Sequence, residues 1–325
     1  MKSVLRFLKD PFVVIAMVSI VFPFVFPFTD LATEMLIFGL LAVAFNLMLG
    51  YTGLLSFGHA ALFGTGAYTM GILLVRFQVN IFLGMLASAG MAAAIALLIG
   101  WISIRRHGIY FAMLTLAFNE VFYFTLTQFR DLTGGEDGLR GIYRPDLVAG
   151  PASLSVQEPM RFYFFVLFIF LLSLLAMRRI TGSPMGSVFK AIRENENRAE
   201  SVGYKCRYYK IVAFVFSGFF AGLAGALFCI YIKYVSLSFC HWSLSGEVII
   251  MALLGGIGSL YGPLIGAALV TLMQDILAGM WERWLLLLGI IFIIFVMFFQ
   301  GGVWSGIEAL SSRLFRKPEK KEIPA

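Results

Sequence analysis

Long apolar stretches, separated by short polar or glycine-rich segments, dominate the pattern of this chain. A helix needs about 20 apolar residues to cross the hydrocarbon core of a bilayer. The pattern therefore predicts an all-α, polytopic integral membrane protein with about ten crossings, at residues 11–29, 31–49, 53–75, 81–104, 108–128, 161–178, 210–232, 246–256, 262–281 and 284–300. The eighth stretch is too short to span by itself, so this helix is either broken or longer than its apolar core.

Two glycine-rich segments interrupt the apolar pattern, at residues 50–71 and 253–268. Both contain G-x-x-S followed by a later glycine, an echo that hints at an internal repeat. Non-helical backbone is tolerated at membrane depth where it is buried in protein or lines a cavity. Broken or re-entrant helices are therefore compatible with these two segments.

Composition and charge agree with a membrane protein. Of the 325 residues 60% are hydrophobic and 13% are charged, against about 25% charged residues in soluble domains. The net charge of +7 does not indicate nucleic-acid binding, because ten crossings with the N-terminus inside place 18 of the 25 Lys and Arg residues on the inner side. We expect a single transmembrane domain over 1–325, with cytoplasmic termini, a cytoplasmic loop at 179–209, a periplasmic loop at 129–160 and a cytoplasmic tail at 301–325.

A charged island at residues 178–210 carries eight Lys or Arg and three acidic residues between two apolar stretches. Ser183 suits a helix N-cap and Gly203 suits the position that closes a helix. An apolar stripe at helical spacing between them predicts an amphipathic helix over 184–202. The stripe consists of Val188, Ala191, Ile192, Ala199 and Val202. Such a helix either lies among lipid headgroups or docks a soluble partner. Its glutamates favour docking, since a lipid-seeking face would carry unbroken basic charge.

Motifs for chemistry are missing from the sequence. It contains no Walker A sequence, dinucleotide-binding loop or nucleophile elbow, and its three histidines and three cysteines lack the spacing of a metal site or disulfide framework. We therefore expect no catalytic residues, no metal and no cofactor bound by this chain. A membrane enzyme is disfavoured for the same reason.

Few ionisable groups fall inside the predicted spans. Glu120 and Asp275 are the only carboxylates placed well inside one, whereas an ion-coupled carrier would show more. A stand-alone channel or secondary carrier would have to use these two. Candidate pathway residues are the polar groups at membrane depth, although helix–helix hydrogen bonding is an equal alternative for each: Asn46, Ser56, His59, Asn119, Glu120, Ser259 and Asp275.

Four segments resemble the permeases of branched-chain amino acid ABC importers, in particular the LivM-type subunit. The run GYTGLLSFGHAALFGTGAYT, from residue 50, is similar to the signature of this family. The segments LTGGEDGLRGI (132–142), KAIRENENRAESVGY (190–204) and HWSLSGEVIIMALLGGIGSLYGPLIGA (241–267) follow in family order. Together they cover the chain from about residue 40 to 275.

The resemblance implies a subunit of a bacterial inner-membrane importer that is driven by ATP through alternating access. Its expected partners are a homologous LivH-type permease, two cytoplasmic ATP-binding subunits that hold ATP and Mg²⁺, a periplasmic amino-acid-binding protein, and membrane lipid. The loop at 190–204 would couple the chain to the ATPase through Lys190, Ala191, Arg193, Glu194, Asn195, Glu196 and Gly203. Permeases for urea and short amides share much of the signature, so the substrate stays open.

Overall fold

A computed structural model describes residues 10–25, 28–106, 108–144, 147–149, 152–154, 157–280, 283–298 and 301–306. The predicted tail beyond residue 306, residues 1–9 and parts of the loop at 129–160 lie outside these ranges. The elements in chain order are α1 (Pro11–Val25), α2 (Thr29–Thr52), α3 (His59–Phe77), α4 (Ile81–Ser103), α5 (Ile109–Gln128), α6 (Arg130–Thr133), β1 (Leu147–Ala149), β2 (Ala152–Leu154), α7 (Pro159–Thr181), α8 (Pro184–Glu194), α9 (Glu196–Ser201), α10 (Cys206–Ile232), α11 (Trp242–Gly255), α12 (Gly262–Met280) and α13 (Trp284–Phe298).

The expected all-α membrane architecture is confirmed. Seven of the described helices, α2, α3, α4, α5, α7, α10 and α12, are long and apolar enough to cross a membrane. Three shorter apolar helices, α1, α11 and part of α13, occupy the other predicted crossings. The stretch that looked too short to span belongs to α11, which has 14 residues and begins at Trp242.

The predicted crossing at 53–75 is wrong at its start. Residues 53–58 are not helical, and α3 begins only at His59. Gly53 closes α2 in the left-handed conformation, with φ 75°, and donates its N–H to the Met48 carbonyl. A chain that turns there has no i→i−4 ladder to continue. Leu54, Ser56 and Gly58 of this segment are buried inside the protein, which is the condition for irregular backbone at membrane depth.

The two ends of the bundle carry different structures. At one end, here called the α8 end, α8 and α9 lie across the helix termini, and Arg193 donates a hydrogen bond to the Gly50 carbonyl near the end of α2. At the other, here called the loop end, an isolated bridge joins Leu139 to Val235, just after α10. The hairpin of β1 and β2 belongs to the same long connection. The α2 and α10 C-termini therefore lie at opposite ends.

Helix α2 lies at the centre of the bundle. It packs against α7, α10 and α12, and its residues from Leu36 to Met48 are almost entirely buried. Small residues let the neighbours approach closely: a Cβ added at Gly66 of α3 would lie 2.0 Å from the Gly222 carbonyl oxygen of α10. Close approach of small residues is a main source of helix association in membranes. At the α8 end, Arg178 of α7 clamps Asp10 before α1 with bonds of 3.0 and 2.7 Å.

The predicted single helix over 184–202 is wrong. Asn195 breaks it into α8 and α9, with extended backbone at φ −160° and its side chain accepting the Arg198 N–H at 3.0 Å. Asn competes with the helix for its own backbone and therefore favours a cap over a helix interior. The predicted caps are confirmed, because Ser183 accepts the Gly186 N–H and Gly203 has a φ of 97°.

Candidate functional site

His59 is the first residue of α3 and is fully buried between α2 and α10. Its Nε2 lies 2.7 Å from the Ser217 hydroxyl, which donates to the Ala44 carbonyl at 2.6 Å. Since the Ser217 hydrogen is committed to Ala44, we assign the proton of the imidazole to Nε2. The ring stacks edgewise on Phe45 at 4.8 Å, and its Nδ1 has no partner in the described chain.

Asn119 and Ser245 hold the first turn of α3 from two sides. The Asn119 carbonyl accepts the Ala61 N–H at 2.8 Å, while its amide donates to the Cys240 carbonyl at 2.9 Å. The Ser245 hydroxyl accepts the Ala60 N–H at 2.9 Å and donates to the Phe57 carbonyl at 2.8 Å. The first N–H groups of a helix have no partner within it. These side chains supply partners and tie α3 to α5 and α11.

A second link joins α2 to the irregular segment between α11 and α12. The Asn46 amide donates to the Ser259 carbonyl at 2.8 Å, and the Ser259 hydroxyl accepts the Gly262 N–H at the start of α12. The Asn46 Oδ1 is buried without a partner among the described atoms. The structure therefore brings two predicted pathway residues, Asn46 and Ser259, together in the half of α2 that is nearer the α8 end.

The other predicted pathway residues do not form one cluster. Ser56 is fully buried and accepts the Gly58 N–H. Glu120 lies beside Asn119 on α5, with one carboxylate oxygen buried and unpaired within the part described. Asp275 is exposed on α12, and its carboxylate interacts electrostatically with that of Glu34 on α2. No group of three or more His, Cys, Asp or Glu suited to a metal occurs in the described ranges.

Helices α8 and α9 are attached to the bundle by one face. Val188, Ile192 and Ala199 of the predicted stripe are buried, whereas Val202 is 73% exposed. Glu196 pairs with Lys210 of α10, whose side chain is only 2% exposed. Arg193 reaches inward to Gly50.

The predicted coupling residues therefore divide into two groups. Those that hold the fold are Arg193, Asn195 and Glu196, by the contacts above. Lys190 and Glu194 are exposed on α8, Ala191 is half-buried, and Gly203 is exposed behind α9. The Lys190 ammonium lies 5.6 Å from the ring of Tyr51.

A cavity of about 340 Å³ opens beside α8. Its walls include the cations Arg178 and Lys190, with Tyr51, Tyr261 and Ser259 around them. Burial raises the pKa of the Tyr261 hydroxyl above its ordinary value, so this phenol stays neutral at physiological pH. Because Arg178 is already paired with Asp10, the recess offers the Lys190 ammonium among aromatic side chains.

Three contributors to the junction around His59 were not among the sequence candidates: Ser217, Ser245 and Cys240. Serines and cysteines are common in apolar helices as small packing residues, so none stood out alone. A usable signal was present in LSFCHWSLSG, at 237–246, which repeats the pattern of LSFGHAALFG, at 55–64. The comparison made from the sequence paired residues 50–71 with 253–268 instead and missed it.

Comparison with known proteins adds a family to this geometry. The family model described as "Branched-chain amino acid transport system / permease component" matches residues 28–296. The high-affinity branched-chain amino acid transport system permease protein LivM of Escherichia coli K12 is 29% identical over 279 residues, and that of Salmonella typhimurium LT2 is 28% identical over the same length. A probable LivM permease of Methanocaldococcus jannaschii is 25% identical over 286 residues.

The similarity covers most of this chain but less of the relatives. It spans 80% of the chain and 66% of the two enterobacterial proteins, slightly under two thirds of their length. For the archaeal protein it spans 76% of the chain and 81% of the relative. None of the solved structures matches this chain.

Proposed function

Because the chain belongs to the permease family of branched-chain amino acid transport systems, we propose that it is a membrane-spanning subunit of an ATP-driven importer for aliphatic amino acids. It binds no nucleotide itself. Two cytoplasmic ATPase subunits supply the energy, a second, homologous permease completes the pathway, and a periplasmic binding protein delivers the substrate. The observation that carries the proposal is the family match over 28–296, which includes the α8–α9 segment.

The geometry of α8 supports its role as the ATPase contact. Lys190 and Glu194 are exposed on α8, and Lys190 also lines the cavity beside this helix. Arg193 connects α8 to the Gly50 carbonyl, three residues before the point where α2 closes. A displacement of α8 by an ATPase would therefore reach the end of α2 and the irregular segment 53–58 directly.

Aromatic and basic residues at the α8 end support a cytoplasmic orientation for it. Arg105 lies over the exposed ring of Trp101 at 5.0 Å, and Arg207 donates to the Trp101 carbonyl at 3.2 Å. Tyr110 and Tyr208 are 71% and 62% exposed nearby in sequence. Trp and Tyr concentrate at headgroup level, and inner loops are rich in Lys and Arg. We propose a multi-pass protein of the bacterial inner membrane with both termini cytoplasmic.

Reconstitution of the chain with its second permease and ATPase subunits tests the docking role. We expect Glu194→Lys to reduce ATPase association at least tenfold without loss of folding, because it reverses an exposed charge on α8. Glu158→Lys is the matched control, since Glu158 is a 64% exposed glutamate before α7 at the loop end. Equal ATPase binding by both variants would overturn the docking role, and uptake that persists without any ATPase would overturn the ATP-driven mechanism.

A further inference from the structure

Two ten-residue segments of the chain are near copies of each other. LSFGHAALFG, at 55–64, and LSFCHWSLSG, at 237–246, share six of ten residues in register. Each follows a long helix that closes in the left-handed conformation, at Gly53 after α2 and at Lys233 after α10. The first then passes through irregular backbone and the second through a short 3-10 helix, Leu237–Cys240. A new α-helix begins at His59 in the first copy and directly after His241 in the second.

The helices around the two segments also correspond. Helix α10 packs along α3 and α4, and α2 packs along α11 and α12. Helices α3 and α4 pair with each other, as do α11 and α12. The equivalent sets are therefore α2–α3–α4 and α10–α11–α12. The G-x-x-S echo at 256–259 is not part of this correspondence, because it lies between the second and third helices of its set.

The two sets run in opposite directions. Helix α2 ends at the α8 end, where Arg193 binds Gly50, whereas α10 ends at the loop end, where Val235 bridges Leu139. Residues 55–64 therefore enter the bundle from the α8 end, and residues 237–246 enter it from the loop end. Inverted repeats of this kind, with broken helices at their interface, are a recurring architecture of transporters.

The two segments cross in antiparallel fashion. Ser245 contacts both Phe57 and Ala60, and a Cβ added at Gly64 would lie 3.4 Å from the Cα of Cys240. The residue number falls along one segment as it rises along the other, so the crossing lies close to Ala61 and Ser243, which are equivalent positions. A pseudo-two-fold axis between equivalent positions is what an inverted repeat requires.

The crossing is not symmetric in this structure. Ala60 and Ala61 are fully buried, whereas their equivalents Trp242 and Ser243 are exposed. His59 is likewise buried, but His241 is half-exposed beside Tyr123 at 5.7 Å. The first copy is thus buried within this chain and the second is partly exposed on its surface, and we refer to these as the closed and open arrangements.

We propose that residues 55–64 and 237–246 are the moving constriction of the transport pathway, and that the two copies exchange their closed and open arrangements when the transporter changes state. The inference deepens the proposed transport function and rests on it. Because the two sequences are similar, each copy can adopt both arrangements. The arrangement of one copy in this structure is therefore the one that the other copy adopts in the second state of the transporter. The side chains at the crossing are small or aromatic, which suits passage of an aliphatic amino acid.

The exchange makes a contact prediction. If the repeats swap, the contact of Gly64 with Cys240 becomes a contact of Gly246 with Gly58, their equivalents. These two glycines do not touch now, because a Cβ added at Gly246 meets nothing within 4 Å and one at Gly58 meets Thr115 and Ser56. Both sites can therefore accept a cysteine without a severe clash.

Cross-linking with a short bifunctional thiol reagent tests this. The three native cysteines are free and buried, so Cys206, Cys229 and Cys240 are replaced by alanine and Gly58→Cys and Gly246→Cys are added. The assembled transporter is treated in vesicles, nucleotide-free and trapped with ADP and vanadate, and the cross-linked peptide is measured by mass spectrometry. The control pair combines Gly58→Cys with Glu247→Cys, one residue out of register.

We expect the 58–246 cross-link to exceed the control at least fivefold in one state and to block uptake until it is reduced. Ala60→Cys with Ser245→Cys, a pair in contact here, is expected to cross-link in the other state. No excess over the control in either state, in vesicles that take up substrate, would overturn the exchange. An excess of equal size in both nucleotide states would show a fixed contact and would likewise overturn the exchange. Uptake that persists without any ATPase subunit would instead overturn the proposed ATP-driven function.

Discussion

Replacement of Asn119 by alanine probes the junction that joins α3, α5 and α11. Asn119 is fully buried, and its amide group makes two hydrogen bonds to backbone groups on other elements, at 2.8 Å to Ala61 and 2.9 Å to Cys240. The alanine variant removes both. It leaves the Ala61 N–H, which has no acceptor within its own helix turn, and the Cys240 carbonyl without that partner.

The expected loss of stability follows from these two groups. An orphaned buried polar group costs about 1–3 kcal/mol in soluble proteins, whereas hydrogen bonds between membrane helices average about 0.6 kcal/mol with a maximum of about 1.7. Because both orphaned groups belong to backbone that cannot reorient, we expect Asn119→Ala to cost about 1–3 kcal/mol of unfolding free energy. The small cavity left by the side chain adds to this cost.

Reversible unfolding in mixed micelles, followed by circular dichroism, measures the change. Thr125→Ala on the same helix is the control, since Thr125 is exposed and bonds only to its own helix at Val121; its expected effect is below about 0.5 kcal/mol. Ser245→Ala completes a double-mutant cycle, and we expect a coupling of at least about 0.5 kcal/mol because both side chains hold the same turn. An Asn119→Ala cost equal to that of Thr125→Ala would refute the structural role of the junction.

Three further predictions use the same unfolding assay. Gly66→Ala should cost about 1–3 kcal/mol by overpacking against α10, while Gly90→Ala, where an added Cβ meets nothing within 4 Å, should be neutral or stabilising; equal effects would contradict the close helix contact. Glu196→Gln should destabilise more than Lys210→Met, because it leaves a buried ammonium without its counter-charge; the reverse order would contradict this account. The guanidinium of α7 that donates to Asp10 holds the pKa of this carboxyl below its ordinary value, so its contribution, at most about 1 kcal/mol, is present above the ordinary pKa and fades as pH falls through the folded value. Asp10→Asn should remove that part of the acid dependence, and an unchanged pH profile would count against it.

The sequence predicted the helices well where hydrophobic runs decide the structure. The bounds of α4, at Ile81–Ser103, and of α5, at Ile109–Gln128, lie within a residue or so of the predicted crossings. Hydrophobicity fails where the backbone changes conformation without a change in polarity. Residues 53–58 are as apolar as a helix, yet Gly53 ends α2 in a left-handed turn. Asn195 shows a second kind of failure. The apolar stripe continues on both sides of this residue and predicts one helix, whereas Asn195 caps a new one.

The candidate site shows the same division on the level of side chains. Asn46, His59 and Asn119 stand out in sequence because a large polar group at membrane depth needs a partner. Their partners are the Ser217 hydroxyl, the Ala61 N–H and the backbone carbonyls of Cys240 and Ser259, and no single-residue signal marks these.

The internal repeat identifies residues that no single position reveals, because similar sequences at 55–64 and 237–246 predict similar local structures in both places. His241 alone is a half-exposed histidine at the start of α11, and His59 alone is a buried one at the start of α3. Both histidines are preceded by Leu-Ser-Phe and followed by Leu-x-Gly. Because the two sequences are alike, the conformation observed around one histidine predicts a second conformation for the other. The alignment of the two copies therefore predicts which residues of the junction are in contact in its second conformation.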